Sequence, residues 1–541
     1  VDKSHLASIR QEDEMQKTGR TILISLLVLI SVSIAENPII QTKFTADPAP
    51  MVWNDTVFLY TGHDDDSASN FLMMDWLLYT STDLVNWRDR GAVASLKNFK
   101  WAGTNGAWAA QTIYRNGKFY MYAPVQMSGI GVMVSDSPYG PWTDPLGTPL
   151  VNNGGPCIDP TVFIDSDGQA YLYWGNPDDY WVKLNADMIS YSGNINMIPR
   201  IQSYQEGPWF YKRGSNYYMA FASTCCPEGI GYAMSPGPTG PWTYKGSIMD
   251  GNPGSSGNHP GIIDFKGKSY VFGFNYAINY SLTTVHRERR SVCLAQMNYN
   301  TDGTIQKVPW WGGDMPSGPG VDQVGTLNPY DQVEAETMAW SQGVKTEPCT
   351  EGGMDVGSIQ NGSFIKLKGV DFGSGAASFD ARVASATSGG NIELRLDSAK
   401  GKLVGTIAVA GTGGWQTWTT KSCQVSGASG IHDLFLAFTG GNGNLFNFNW
   451  WKFHPVSSAL GGNEPARGKD WLDVEAKAGR LTVRADRPMD RVEVVSSRGE
   501  VWSLGAGNGM ELNVAAFTQG VYFLRVRSGA YTETRRILLN L

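Results

Sequence analysis

A unit recurs through the first half of the chain, and it restricts the possible folds more than any other feature. Each copy opens on an acid, a Trp or a His, runs into an apolar strand, and returns through a short turn into an aromatic strand. The openings are Asp47, Trp108, Asp159, Glu206 and His259, at intervals of 61, 51, 47 and 53 residues. Between the strands lie Asn116-Gly117, Asp165-Ser166-Asp167-Gly168, Gly214-Ser215-Asn216 and Lys266-Gly267-Lys268, the residue types that make tight reversals. A second echo, Asp83-Leu84-Val85-Asn86-Trp87, Asp136 to Trp142 and Pro238 to Trp242, falls late in copies one, two and four. Such spacing suits one four-stranded sheet per copy, and sheets repeated with a fixed period close radially into a β-propeller. Five copies predict five blades over residues 36–328.

In a propeller the innermost strand of every blade starts at the same end of the central channel. The five openings therefore converge, although Asp47 and His259 are far apart in the chain. Asp47-Pro48, Asp159-Pro160 and Glu206-Gly207-Pro208 each place a Pro near the first residue, where a strand tolerates it. Singly, each reads as a turn; their shared register marks a site. Three carboxylates around an aromatic cleft suit glycoside cleavage, in which one acid protonates the leaving oxygen and another activates water. A third carboxylate beside the acid would raise its pKa. The residues alone leave these roles unassigned, and a propeller that only binds glycans, a lectin, is the competing reading.

Composition agrees with an all-β chain. Among 541 residues there are 64 Gly, 19 Trp and 23 Tyr, and helical periodicity is scarce beyond the N-terminus. A net charge of −7 provides no basic face for nucleic acid. Lys17 and Arg20 precede the apolar run Ile22 to Ile34, followed by Ala35, so residues 1–35 read as a leader and signal peptide. The run is shorter than the ~20 residues of a spanning helix. Export follows, with residues ahead of Met15 assigned no fold. Six cysteines are too few for a disulfide framework. Cys349 and Cys423 fall in one later segment, which allows a pairing, while Cys157, Cys225, Cys226 and Cys293 lack zinc-ligand spacing; buried thiols or one bridge are the default expectation.

With these residues in view, the segment from Pro38 to Asn328 resembles glycoside hydrolase family 43, five-bladed propellers that include β-xylosidases, α-L-arabinofuranosidases and arabinan-degrading enzymes. The stretches that carry the likeness are Ala46-Asp47-Pro48, Cys157 to Phe163, Gln205-Glu206-Gly207-Pro208 and Ser256 to Gly261. The resemblance implies Asp47 as general base, Glu206 as general acid, Asp159 as the residue that orients Glu206 and keeps it protonated, and inversion at the anomeric carbon. It implies that His259 sits beside a channel cation, usually calcium. It also implies that Arg290, in the stretch His286 to Val292, reaches the sugar and that Trp108 walls the pocket. Ala110 stands where a proline is usual after Trp-Ala.

From 329 to 455 the strands alternate as in a sandwich. Val333-Glu334-Ala335-Glu336, Gly362 to Lys366, Val370 to Gly373 and Leu445 to Trp451 resemble a family 6 carbohydrate-binding module, a β-jelly roll. The likeness implies a structural calcium on Glu334 and Glu336, stacking of a sugar on Trp415, and a hydrogen bond from Asn447. Ser358 replaces a second stacking aromatic, and Asn449 replaces a calcium-binding Asp. Residues 456–469 read as a linker. Residues 470–541 read as a small β-sandwich that resembles type IX secretion sorting domains, implying a secretion-machinery partner. The expectation is a secreted or cell-surface bacterial monomer acting as an inverting exo-glycosidase. Its most favoured activity is α-L-arabinofuranosidase on arabinoxylan, ahead of β-xylosidase or endo-arabinanase, with no organic cofactor.

Overall fold

The computed structural model describes residues 36–456, apart from 127, 253–257, 313–314 and 316–319, and residues 472–539, apart from 478–479, 497–500, 514–519 and 529–530. The expected leader and nearly all of the linker lie outside the described residues. Two compact units divide the chain, Val1–Ser457 and Ser458–Leu541. The fold is all-β, as the composition predicts; among the described residues the helical pieces are Ala277–Leu282 and the single turn Leu96–Asn98.

Each repeat read from the sequence folds into its own antiparallel sheet. The opening strands are Thr45–Trp53, Gln111–Arg115, Thr161–Ile164, Tyr204–Arg213 and Gly261–Phe265. Each touches the next, and the last touches the first, so the five make a closed ring. The ring is stapled where the segment before the first strand docks on the fifth sheet. There the Asn37 side chain exchanges hydrogen bonds with the Leu294 main chain at 3.0 and 2.9 Å, and the Ile39 N–H donates to Val292 O at 2.9 Å. The second echo is structural: Asp83 Oδ1 accepts the Val85 and Asn86 N–H groups at 2.9 and 2.8 Å, turning the chain so that Trp87 is buried.

The binding-module segment packs a sheet containing Phe364–Asp371 and Gly390–Leu396 against one containing Ala376–Ala384 and Asn447–Pro455. Phe379, Phe438, Phe448, Trp451 and Phe453 fill the space between them. It is continuous with the first repeat, because Thr337–Met338 pairs with Trp87 and Arg88 as an added edge strand. Cys349 and Cys423 do not pair; both are free thiols. Cys349 follows one edge strand of its sheet and Cys423 lies on the opposite edge, four strand spacings away. That is ~19 Å at the usual spacing, far beyond the ~7 Å Cα limit of a disulfide. The bridge present joins neighbours, Cys225 to Cys226.

In the second unit the described strands belong to one hydrogen-bonded five-stranded sheet, whose first strand, Leu472–Lys477, also touches its last, Tyr531–Leu539. The long strand Arg480–Ser496 pairs with Leu472–Lys477 through its first part and with Gly520–Ser528 through its last. Register shifts between Arg484 and Glu493 let it serve both. Leu481, Val483, Val492, Val494, Leu524 and Val526 form its core.

Candidate active site

The opening residues meet because their strands begin irregularly. Register shifts fall between Ala46 and Ala49 and between Glu206 and Trp209. Asp47 and Asp159 adopt φ 49° and 57°, a region Asp tolerates better than most residues, and a following Pro suits the turn into the strand. Gly207 (φ 60°) is required on two counts: a Cβ there would lie 2.7 Å from the His259 ring. Its N–H donates to Asp159 Oδ2 at 3.1 Å, tying the third opening to the fourth.

His259 occupies the middle of the cluster. Its Nδ1 lies 3.3 Å from Asp47 Oδ1, and its Nε2 lies 3.4 Å from Glu206 Oε1 and 3.8 Å from Asp159 Oδ2. Asp47 and Asp159 are sealed, with side chains 3% and 4% exposed, while Glu206 keeps 19% at the opening of the cavity. Asn176 donates to Glu206 Oε2. Arg290 donates to Asp47 Oδ1 from Nη1 at 2.7 Å. It also clasps Asp64 through Nε and Nη2 at 3.0 and 2.8 Å and through its own N–H at 2.8 Å.

These groups line a cavity of about 180 Å³ whose apolar walls include Trp108, Phe71 and Ile158. That equals the liquid volume of about six waters, room for one sugar ring. The Trp108 carbonyl accepts a hydrogen bond from Trp76 Nε1 at 2.7 Å. A wider hollow of about 730 Å³, beside Ser95–Phe99, has a single carboxylate, Asp75, already engaged by His63 at 2.7 Å.

Burial pushes Asp47 up, against the pull of Arg290 and His259. It pushes Asp159 up to about 7, helped by the charges of Glu206 and Asp47 and opposed by His259. Burial alone would lower His259, but Asp159, Asp47 and Glu206 raise it to about 10. Glu206 is also pushed up by burial, yet the contact and charge of His259, with Arg290 and Asn176, outweigh this and hold it below the usual glutamate value. Asp159 and Glu206 therefore titrate as one pair, with Asp159 raised and Glu206 lowered in the ligand-free geometry.

Asp64 and Asn176 escaped the sequence reading. Neither opens a repeat: Asp64 follows the second strand of the first sheet, and Asn176 the second strand of the third. The signal available was position, since residues after a second strand return to the end where the openings gather.

For a cation near His259, the channel beneath the cluster contains a void of about 20 Å³ touched by Asp47, Asp159, Gln111 and His259, enough for one water or ion. In the second half of the unit, Glu336 Oε1 accepts Arg88 Nε at 3.1 Å, and Glu334 Oε1 lies 3.6 Å from Arg88 Nη2. Glu336 Oε2 is buried without a partner, and burial pushes this carboxyl up to about 8, so this oxygen suits a hard cation. The Asn449 amide instead donates to Glu351 Oε2 at 3.0 Å. Asn447 donates to Glu347 Oε1 at 2.6 Å and Asp355 Oδ1 at 3.2 Å, and Gln416, next to the half-buried Trp415, donates to Asp355 Oδ2 at 2.7 Å. Asn447 and Gln416, the neighbour of Trp415, thus meet on Asp355.

Carboxylates converging from a ring of sheets on a one-sugar cavity define a glycoside hydrolase. Residues 35–305 match Glycosyl hydrolases family 43 and residues 334–455 match Carbohydrate binding module (family 6). The chain belongs to glycoside hydrolase family 43. It is 38% identical over 479 residues to an arabinoxylan arabinofuranohydrolase of Bacillus subtilis (strain 168), across 77% of this chain and 92% of that one. It is 37% identical over 489 residues to an arabinoxylan arabinofuranohydrolase of Paenibacillus polymyxa, across 79% and 75%. A crystal structure of a family 43 arabinoxylan arabinofuranohydrolase from Bacillus subtilis, in complex with cellotetraose, superposes with a TM-score of 0.68 at 36% identity, covering 77% of this chain and 97% of that one.

Proposed function

We propose that the protein is an inverting exo-α-L-arabinofuranosidase that removes arabinose from arabinoxylan, with its five repeat sheets as the blades of a five-bladed propeller. The observation that carries this reading is the one-sugar cavity between Asp47 and Glu206. These two acids contact opposite ring nitrogens of His259. An imidazole and two contacts thus separate them, which favours the wide spacing that leaves room for a water over the shorter one of a retaining pair. The relatives named above supply the sugar and polymer.

Glu206, the exposed member, protonates the departing glycosidic oxygen. Asp47, sealed and aligned by Arg290, takes a proton from the attacking water. A substrate that displaces Glu206 from His259 and Asn176 removes contacts that hold its pKa down, which favours the protonated acid. Trp108 and Phe71 wall the ring, and Arg290 orients it. Asp47→Ala and Glu206→Ala should each lower kcat by about 10²–10⁴-fold or more without unfolding the protein, and proton NMR should show the first released sugar with inverted configuration. Retention would refute the mechanism.

We further propose calcium at two places: beside His259, where it would fix the channel end of the cluster, and on Glu336 with Glu334, where it would tie the module's first strand. Trp415 and Asn447 are read as the module's sugar contact. The leader supports export to the cell surface or medium as a monomer, with the C-terminal unit as a sorting signal for a secretion machinery. Cleavage at Ala35 and retention in the cells on deleting 470–541 would test this.

A further inference from the structure

Among the described residues, two groups of side chains bring three metal-ligating atoms within 4.8 Å of one another: the acid cluster of Asp159, Glu206 and His259, and a second group, Cys225, Cys226 and Glu228. The second group occupies the turn between Asn216–Ser223 and Gly229–Ser235 in the fourth repeat. Its two cysteines are joined as a disulfide. We propose that this turn is a reduction-gated site for a thiophilic divalent cation of the zinc class, closed while Cys225 and Cys226 are bonded to each other and open once that bond is reduced. The proposal goes beyond the glycosidase reading and stands whichever pentose the enzyme releases.

Placement, access and donor chemistry carry it. Glu206 pairs with Ala222, and Ala222 with Ile230, so the turn caps the end of the sheet at which Glu206 stands. It is held on both sides: the Thr224 N–H donates to Ser203 O at 2.9 Å, and Gly229 packs so tightly that a Cβ would lie 2.4 Å from Met249 O. Cys225 and Cys226 are exposed, within reach of a reductant, and exposed disulfides are the labile ones. Glu228 is the reverse: it is 2% exposed, and its Oε2 is buried without a hydrogen-bond partner. Burying a carboxylate oxygen unpaired is costly, and a cation beside it supplies the missing partner. Two thiolates and one carboxylate suit zinc, with a fourth position left to water, whereas calcium takes oxygen ligands. Tetrahedral zinc bonds of about 2.3 Å hold two sulfurs about 3.8 Å apart, so sulfurs bonded to each other do not serve. In the opening step a dithiol passes two electrons and two protons to the Cys225–Cys226 bond, which breaks into two thiols as the dithiol closes to its own disulfide. Zinc then displaces both thiol protons to solvent.

The test measures zinc bound per chain, by equilibrium dialysis and atomic emission, on the full-length protein with calcium present throughout to keep oxygen sites filled. One sample is reduced with dithiothreitol and desalted without air; the other stays oxidised. The reduced protein should hold one more tightly bound zinc than the oxidised protein, and alkylation after denaturation should count two more thiols in it. Glu228→Gln should weaken that extra zinc about tenfold or more, at least the loss that removing a supporting group costs a metal site. Cys225→Ser/Cys226→Ser should gain none on reduction. No gain in the reduced protein, an equal uptake by the oxidised one, or full affinity in Glu228→Gln would overturn the proposal. Should the double serine variant fail to fold, alkylating the exposed thiols of the reduced native protein before dialysis gives the same control, and zinc still gained after that treatment would overturn the site.

Discussion

Removing the Asp64 carboxylate tests whether the base is held by its neighbours or merely lies beside them. Asp64 is fully buried, and its two oxygens accept three N–H groups of Arg290. Arg290 is 4% exposed, and its remaining contact with a carboxylate is the single bond to Asp47. Asp64→Ala leaves that guanidinium buried against one acid. Breaking a buried pair from one side costs about 3–5 kcal/mol. At roughly 2–4 °C per kcal/mol for a large domain, the Tm should fall by about 10 °C. The freed guanidinium should close on Asp47 with a second bond and compete with the attacking water, so kcat should fall about 10²-fold while KM changes little. Thermal melts followed by tryptophan fluorescence read the first effect, and steady-state kinetics on an aryl arabinoside read the second. The double-mutant cycle with Arg290→Met should return a coupling of about 2 kcal/mol or more, within the range of residues in one network. A stability change under about 1 kcal/mol in Asp64→Ala, or strict additivity with Arg290→Met, would refute the clasp as an organiser of the base.

Three further outcomes follow from the same geometry. The Asp159–Glu206 pair gives up its proton near pH 7, so kcat/KM should decline on the alkaline side from about that value. Asp159→Asn removes the like charge that resists ionising Glu206 and should move that limb to lower pH; an unmoved limb would disprove the shared proton. Gly207→Ala sets a methyl group 2.7 Å from the His259 ring at φ 60°, and with no flexible chain end to yield, it should depress kcat at least about tenfold at nearly unchanged expression. Chelation should lower the Tm and added calcium restore it, with Glu336→Gln removing the module's share of that response; a Tm indifferent to both would dismiss calcium there.

How far the site could be read from sequence depends on which strand a residue follows. Asp47, Asp159, Glu206 and His259 were legible because they open repeats, and a repeat fixes position around a ring without any knowledge of distance. Arg290 was reached through likeness to a family stretch, and Asp64 and Asn176 were missed, their position after a second strand being the signal that went unused. They stand after second strands, in connections whose lengths differ between repeats, so no period points at them. The expectation of buried thiols or one bridge fits the structure, but which cysteines pair was illegible for a related reason. Cys349 and Cys423 share a segment, but strand order put them on opposite edges of one sheet, and sequence distance does not report strand order.

The electrostatics were the least legible part, because a pKa depends on which charges touch. Asp159 was expected, from the family resemblance and the repulsion of like charges, to keep Glu206 protonated. The structure adds a third party: His259, raised to about 10 by the same carboxylates, contacts Glu206 more closely than Asp159, at 3.4 against 3.8 Å. Its contact and charge favour the ionised form of Glu206 in the free enzyme, and catalysis needs that influence relieved when the sugar arrives. A neutral side chain of similar shape at 259 should remove it: His259→Gln should raise the Glu206 pKa in the free enzyme, visible by NMR of the labelled side chain. A Glu206 pKa that stays low in that variant would show that Asn176 and Arg290, not His259, set the resting charge of the acid.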